Sequence, residues 1–369
     1  MEESKIKARK TLNKISPYSP GKPIWELEQE MGLTGIIKLA SNENPLGPSP
    51  KALEAAGYAL PTIHRYPDAG TTRLRQALAA TLKLSPEQFI ISNGGDELIT
   101  LIAETFLEPE DEVIVCSPSF SEYEFGAHLM GASVVKVQLD GNFLINVHAI
   151  AEAVTNRTKL LCLCSPNNPT GTYIPREELH QLLDLLPQHV VVLLDAAYCQ
   201  YAEADDYTDG VEFVRAGYPV IVLQTFSKIY GLAGLRVGYG IASGSMIQLL
   251  SKVKEPFNVN ALAQAAAVAA LGDSDHVRLS LEVNSKGKQQ LYQAFNHMGL
   301  DYIQSMSNFV WLHIGPDAQR VYDNLLQRGI IVRFGGIWQL PDYLRISVGT
   351  RRENAALIKE LADILNHEC

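Results

Sequence analysis

Four groups of polar residues follow short apolar runs of the chain, at positions where chemistry on a carbonyl or an amine could take place. They are the segments 93–97, 165–171, 195–198 and 225–228. Lys228 stands just after an apolar run, where a partly desolvated amine is able to form an imine with a carbonyl. Asp195 ends the most apolar run, and a buried carboxylate is costly unless it pairs with a cation or a protonated ring nitrogen.

The segment Asn93-Gly94-Gly95-Asp96-Glu97 has the composition of an anion-binding turn. Two glycines allow a ligand to approach the backbone, and the N-terminus of a following helix offers free N–H groups to a phosphate. Ser227 and Arg236 could complete such a site. Each feature also has a purely structural explanation: the glycines as a tight turn, Lys228 and Arg236 as solvated residues, and Asp195 as a helix cap. The prediction of a functional site therefore rests on the occurrence of these features together at strand ends.

The elements that must position these residues alternate between strands and helices. Apolar runs rich in Val and Ile predict strands buried on both faces at 88–92, 112–116, 133–137, 159–164, 190–195, 219–224 and 235–242. Amphipathic stretches at 71–83, 96–107, 176–186 and 245–254 predict helices between them. This alternation is typical of the α/β class, with a mostly parallel, doubly wound sheet.

Three regions are predicted along the chain. Residues 1–44 are an irregular arm with one short helix, which we expect to pack on the C-terminal domain or on a partner subunit. Residues 45–272 form the large domain. Residues 273–369 form a smaller α+β domain with helices near 274–298, 317–328 and 351–366 and strands near 308–314, 330–334 and 343–348.

Composition excludes several classes of function. The 369 residues carry a net charge of −10, which disfavours nucleic acid and anionic membranes as partners. Five scattered cysteines without a C-x-x-C pair and a charged N-terminal stretch predict a reducing, cytoplasmic location. No metal-binding spacing, P-loop or complete G-x-G-x-x-G dinucleotide motif is present; the run Gly238-Tyr239-Gly240 lies late, inside a predicted strand.

Four motifs resemble those of the fold-type I pyridoxal-phosphate enzymes of aminotransferase class I/II, in the order and spacing of that family. They are S-P-N-N-P-T-G at 165–171, D-A-A-Y at 195–198, T-F-S-K at 225–228 and G-L-A-G-L-R-V-G-Y at 231–239. The resemblance spans essentially the full chain. It implies pyridoxal 5′-phosphate as cofactor and a large domain with a mostly parallel sheet beside a small α+β domain.

Further stretches resemble the branch of that family that transaminates histidinol phosphate. They are P-Y-S-P-G-K-P at 17–23, K-L-A-S-N-E-N-P at 38–45, R-Y-P-D at 65–68 and L-R-I-S-V-G-T at 344–350. This resemblance implies transfer of nitrogen from L-histidinol phosphate to 2-oxoglutarate, in histidine biosynthesis. Aromatic amino acids as substrates, or both kinds together, are the main alternative, and a threonine-phosphate decarboxylase is a second. A noncatalytic sensor is disfavoured because no DNA-binding pattern precedes the sheet.

The family resemblance assigns a role to each candidate residue. Lys228 would hold the cofactor covalently and move the proton during transfer. The remaining cofactor contacts would be Asp195 at the ring nitrogen, Asn168 and Tyr198 at the ring oxygen, Phe120 on the ring face, and Gly95, Asp96, Thr225, Ser227 and Arg236 at the phosphate. Substrate would contact Tyr18, Asn44, Arg333 and Arg345, since arginine forks match phosphate or carboxylate. Tyr66 would reach the phosphate from the other subunit, which implies a homodimer with shared sites.

Overall fold

The computed structural model describes residues 7–15 and 23–366, apart from the side chain of Met31. The described strands are β1 Ile37–Lys38, β2 Phe89–Ser92, β3 Glu112–Ser117, β4 Ser133–Gln138, β5 Thr158–Cys164, β6 Val191–Asp195, β7 Val220–Thr225, β8 Gly238–Ile241, β9 Tyr302–Ile303, β10 Phe309–His313, β11 Ile330–Ile331, β12 Arg333–Phe334 and β13 Tyr343–Ser347. The helices are α1 Ile24–Met31, α2 Pro50–Ala59, α3 Thr72–Leu82, α4 Gly95–Phe106, α5 Glu122–Met130, α6 Val147–Ala153, α7 Arg176–Leu185, α8 Val211–Ala216, α9 Gly244–Val253, α10 Ala261–Leu271, α11 Ser274–His297, α12 Ala318–Gln327 and α13 Arg351–Asn366. None of these helices is both long and apolar enough to cross a bilayer.

A seven-stranded sheet in the order β2-β8-β7-β6-β5-β3-β4 forms the centre of the large domain. The five strands from β4 to β7 in this order are parallel, and β8 is antiparallel to both of its neighbours, β7 and β2. The predicted α/β class with a mostly parallel sheet is therefore confirmed. The last predicted strand, 235–242, is shorter than expected, because Arg236 has φ 54° and interrupts the extended backbone before Gly238.

Both faces of the central sheet are buried except along the edge strand β4, which explains the continuous apolar runs of the other strands. Leu161 and Leu194 belong to the hydrophobic cluster on one face, while their chain neighbours Leu160 and Leu193 belong to the cluster on the other. The register places the ends of neighbouring strands side by side: Cys164 is opposite Asp195. Chain segments that leave β5, β6 and β7 are thus brought together at one edge of the sheet.

The C-terminal part of the chain contains a four-stranded antiparallel sheet in the order β12-β13-β10-β9. Its core includes Leu291 and Phe295 from α11, Val321 from α12 and Leu357 from α13. The N-terminal segment joins this region, since β1 pairs in parallel with β11 and Leu27 packs with Ile331. The limits 1–44, 45–272 and 273–369 proposed for the arm and the two domains stay predictions.

Candidate active site

A cavity of about 280 Å³ lies at the carboxyl ends of β5, β6 and β7. Cys164, Asp195 and Thr225, the last residues of these strands, are part of its wall. Twelve of the fifteen residues that we predicted as site residues line it: Gly95, Asp96, Phe120, Asn168, Asp195, Tyr198, Thr225, Ser227, Lys228, Arg236, Arg333 and Arg345. The structure therefore brings together residues that are up to 250 positions apart in the chain, from Gly95 to Arg345.

The other three predicted residues are not in the cavity wall. Tyr18 lies outside the described residues. Tyr66 is 83% exposed on the surface, where its ring stacks on Phe257 at 4.7 Å, so its predicted contact across a subunit interface stays a prediction. Asn44 is buried away from the cavity: its Nδ2 donates to the backbone carbonyl of Ile229 at 2.8 Å and to Ser280. That amide therefore supports the loop carrying Lys228, and its predicted contact with substrate stays a prediction.

One end of the cavity is built to hold an anion. Helix α4 begins after Gly94, whose φ of 84° suits glycine, and no side chain caps its first N–H groups. A Cβ atom at Gly94 would lie 2.5 Å from the guanidinium of Arg236, so the glycine leaves room for that group over the turn. The hydroxyls of Thr225 and Ser227 border the same space. Free N–H groups, a guanidinium and hydroxyls together match a phosphate monoester.

Asp195 presents a buried carboxylate to the middle of the cavity. It is 5% exposed; Tyr123 donates its hydroxyl to Oδ2 at 2.7 Å, and the backbone N–H of Ala197 donates to Oδ1 at 2.9 Å. Burial raises the pKa of Asp195 to about 6, and the hydrogen bond from Tyr123 opposes this rise. A cation or protonated ring nitrogen beside it would stabilise the charged form.

Lys228 approaches the same space from the loop that follows β7. Its Nζ lies 3.4 Å from the carbonyl oxygen of Ser41 and 5.5 Å from the centre of the Tyr198 ring. Burial, with a further contribution from the charge of Arg345, lowers the pKa of Lys228 to about 8. A substantial fraction of the amine is therefore neutral near physiological pH, and the neutral amine is the nucleophilic and basic form.

Arg345 also lines the cavity and is held by hydrogen bonds and by contacts with aromatic rings. Its guanidinium donates to Asn168 Oδ1 and to the carbonyl of Ala40, the latter at 2.6 Å. The guanidinium also lies over the rings of Phe309 and Trp338, at 5.4 and 5.2 Å. Arg333 is its direct partner in the β12–β13 register and lines the same cavity. Two guanidinium groups at one end suit a dianion or a carboxylate.

A second cavity of about 540 Å³ adjoins the first, because both are lined by Phe120, Asn168, Arg333 and Arg345. Its additional apolar lining comes from Ile15, Phe125, Ile337 and Trp338. The indole of Trp338 is fixed by a hydrogen bond from Nε1 to the carbonyl of Ser119 at 3.1 Å. This space therefore offers apolar surface, together with charged side chains such as Glu124 and Lys136, to the far part of a molecule whose acidic end binds the arginines.

Sequence reasoning missed three residues that shape the site. Tyr123 donates to Asp195, Trp338 lies against Arg345, and Asn42 donates its Nδ2 to the hydroxyl of Tyr198 at 2.9 Å. A tyrosine in α5 looks like an ordinary core residue in the sequence. Asn42 had a detectable signal, since it belongs to the same S-N-E-N run from which Asn44 was chosen.

Comparisons with known proteins agree with this architecture. The family model for aminotransferase class I and II matches residues 34–361. The histidinol-phosphate aminotransferase of Moorella thermoacetica is 49% identical, over 97% of this chain and 93% of its own length, and that of Bacillus licheniformis is 40% identical over 98% and 100%. The crystal structure of histidinol-phosphate aminotransferase from Sinorhizobium meliloti in complex with pyridoxal-5′-phosphate superposes with a TM-score of 0.92 at 27% identity, covering 99% of this chain and all of that one. This chain belongs to the family of class I and II aminotransferases.

Proposed function

We propose that this chain catalyses transamination between L-histidinol phosphate and 2-oxoglutarate, giving imidazole-acetol phosphate and L-glutamate, a step in histidine biosynthesis. The observation that carries the proposal is the convergence of Lys228, Asp195 and Arg345 on one cavity. The names of relatives that are 40 to 49% identical over nearly the full chain support the same reaction.

The cavity fits pyridoxal 5′-phosphate. The uncapped start of α4, with Arg236, Thr225 and Ser227 beside it, suits the phosphate, and the buried carboxylate of Asp195 suits the ring nitrogen. Tyr198, Asn168 and Phe120 line the same cavity, where the first two would contact the ring oxygen and Phe120 would stack on the ring. When bound, the cofactor supplies an electron sink for the charge that develops at the substrate's Cα.

Lys228 performs the proton transfer in this proposal. Its lowered pKa, caused chiefly by burial, makes the neutral amine available to take a proton from the substrate's Cα. The carbonyl of Ser41, 3.4 Å from Nζ, holds the amine at the cavity wall. Asp195 stays charged when a cationic ring nitrogen lies beside it, because such a partner offsets the cost of its burial.

The arginine pair accounts for the use of two different substrates in one site. A guanidinium fork binds the phosphate of histidinol phosphate and the carboxylate of 2-oxoglutarate with the same geometry. Asn168 and Ala40 orient the Arg345 fork before either substrate arrives, which reduces the entropy lost on binding. The adjoining cavity beside Trp338 then receives the imidazole or the second carboxylate.

Steady-state kinetics with 2-oxoglutarate as acceptor test the proposal. We expect kcat/KM for L-histidinol phosphate to exceed that for L-phenylalanine by at least tenfold. The aromatic lining of the adjoining cavity favours one alternative, an aromatic or dual-specificity aminotransferase, for which the two values would be comparable. Release of carbon dioxide from threonine phosphate without an oxo-acid acceptor would instead identify a decarboxylase.

We further propose that the protein is a homodimer whose subunits share their sites. Large side chains are exposed along α2 and the turn after it: Leu53 (59%), Tyr58 (76%), Leu60 (51%), Ile63 (62%) and Tyr66 (83%). Several large exposed apolar side chains within one short stretch of the chain are typical of a protein interface. Burial of this surface by a second subunit would let Tyr66 act across the interface. A cytoplasmic location stays a prediction from the sequence.

A further inference from the structure

Asn42 lies between β1 and α2 and forms part of the cavity wall, although no mechanism described above uses it. It is 1% exposed and has φ 54°, a left-handed backbone conformation that asparagine tolerates better than most residues. Its backbone and side-chain groups make four hydrogen bonds to residues far away in the chain. Such a residue is held in place from several sides at once.

The direction of these hydrogen bonds determines how the side-chain amide is oriented. The backbone N–H of Asn42 donates to Ser347 Oγ at 2.8 Å, so that oxygen accepts and its own proton is available. Ser347 Oγ donates this proton to Asn42 Oδ1 at 3.0 Å. The carbonyl side of the amide therefore faces Ser347, and the NH₂ side faces Tyr198, 2.9 Å from its hydroxyl oxygen.

This orientation has a consequence for Tyr198. Because an amide NH₂ can only donate, the phenol oxygen accepts from Asn42, and the phenol's single proton is not used in that contact. We propose that Asn42 is a positioning residue, which turns the hydroxyl proton of Tyr198 into the cavity so that it is donated to an oxygen atom of the bound ligand. The inference rests on the proposed function, in which that atom is the ring oxygen of pyridoxal 5′-phosphate.

The surroundings of Tyr198 support a donor role. The ring is 4% exposed and packs edge-on against Phe309 at 5.2 Å, so it has one well-defined position. Burial raises the pKa of Tyr198, which keeps the phenol protonated and able to donate. Asn42 also connects Tyr198 to the C-terminal sheet, since Ser347 ends β13 and Asn308, just before β10, donates to the carbonyl of Asn42 at 2.9 Å.

A matched set of variants tests this role: Asn42→Asp, Tyr198→Phe and the double variant. Aspartate has the same shape but can only accept, so it takes the phenol proton away from the cavity. The measured quantity is the pH at the midpoint of the change in the visible absorption band of cofactor-loaded protein. A hydrogen-bond donor to the ring oxygen stabilises the negatively charged form of that oxygen and lowers this midpoint. We expect Asn42→Asp and Tyr198→Phe each to raise the midpoint by about one pH unit.

The double variant separates the action through Tyr198 from the added negative charge. We expect Asn42→Asp to raise the midpoint clearly less in the Tyr198→Phe background than in wild type, since the carboxylate then acts only through its charge and has no phenol to redirect. An equal shift of the midpoint by Asn42→Asp in both backgrounds would overturn the proposal, as would no shift in the presence of Tyr198. Should Asn42→Asp fail to fold, Asn42→Gly keeps the left-handed backbone, and we expect it to raise the midpoint only when Tyr198 is present. The midpoint requires the cofactor but no substrate, so failure to transaminate histidinol phosphate is a separate result.

Discussion

Asp195 is a buried carboxylate, and its burial disfavours the charged form in the cofactor-free protein. Its pKa is raised to about 6, chiefly by burial, so the folded protein binds more protons than the unfolded chain between about pH 4 and pH 6. The free energy of unfolding of cofactor-free protein should therefore fall through this range as pH rises. In Asp195→Asn this contribution should disappear.

Urea unfolding at several pH values measures this effect. The matched control is Asp205→Asn, a change of the same type at an exposed position, which should keep the wild-type pH dependence. The same dependence in Asp195→Asn and wild type would contradict the buried-carboxylate explanation.

Arg345 is the residue on which substrate binding depends most. Arg345→Gln removes the fork that Asn168 and Ala40 orient, and we expect a loss of about 3 kcal/mol, roughly a hundredfold in kcat/KM, for both substrates. Arg345→Lys keeps the charge without the fork, so its kcat/KM should lie between those of wild type and Arg345→Gln. A kcat/KM in Arg345→Lys equal to that of wild type would show that bidentate geometry contributes nothing beyond the charge.

At the scale of elements, the anion site depends on the close approach of α4 to β8. A Cβ at Gly238 would lie 3.0 Å from the carbonyl carbon of Gly94 and 3.1 Å from the N atom of Gly95, so Gly238→Ala must push the start of α4 away from the sheet. We expect at least a tenfold weaker affinity for pyridoxal 5′-phosphate, measured by equilibrium titration. Gly234→Ala is the control, because nothing lies within 4 Å of its Cβ position. Unchanged affinity in Gly238→Ala would contradict this role for the helix start.

Helix α11 offers a direct comparison of a buried and an exposed lysine. Lys288 is 5% exposed and donates to the carbonyl of Ser305 at 2.9 Å, whereas Lys286 lies on the surface and pairs with Glu282. We expect Lys288→Ala to lower the free energy of unfolding by about 2 kcal/mol, because it leaves a buried carbonyl without its donor. Lys286→Ala should change it by less than about 0.5 kcal/mol. Denaturant unfolding of both variants tests this, and equal effects would be inconsistent with the buried hydrogen bond.

The sequence predicted the elements whose pattern comes from burial alone. Strands β3 to β7 agree with the predicted runs to within one residue at each end, and all of them except the partly exposed edge strand β4 are covered on both faces. Helix α10 was missed since its sequence ALAQAAAVAAL is apolar on all sides and has no amphipathic period. The cap at Asn260, whose side chain accepts from Ala263 N–H, was the available signal. Helix α5 has a glycine, Gly126, packed against Ala103, which obscures its pattern.

Within the site, the sequence identified the residues at strand ends but not the residues that hydrogen-bond to them and hold them in place. Asp195 and Lys228 follow buried strands, so the edge of the sheet accounts for their meeting. The partners Asn42 and Tyr123 reach the site through tertiary packing, and nothing in the local sequence shows which of Asn42 and Asn44 faces the cavity. The directions of the hydrogen bonds around Tyr198 follow only from the three-dimensional positions of Asn42, Tyr198 and Ser347, which lie in three separate regions of the chain.

At the scale of the whole molecule, the shared-site homodimer predicts complementation between two inactive proteins. Lys228→Ala lacks the amine, and Tyr66→Ala lacks the group proposed to act across the interface. When the two are dissociated, mixed in equal amounts and reassociated, half of the dimers are mixed and each has one intact site, so about a quarter of wild-type activity should return. Recovery of no activity from a mixture that does form mixed dimers would place Tyr66 in its own subunit's site or outside the reaction.

The central claim, that the cavity transfers the amino group of histidinol phosphate, is tested most directly by one absorbance measurement. Purified protein loaded with pyridoxal 5′-phosphate is mixed with L-histidinol phosphate in the absence of any acceptor, with L-phenylalanine in a parallel sample. We predict that the yellow band is lost rapidly with histidinol phosphate, at least ten times faster than with phenylalanine, and returns when 2-oxoglutarate is added. A yellow band that histidinol phosphate leaves unchanged would contradict the account.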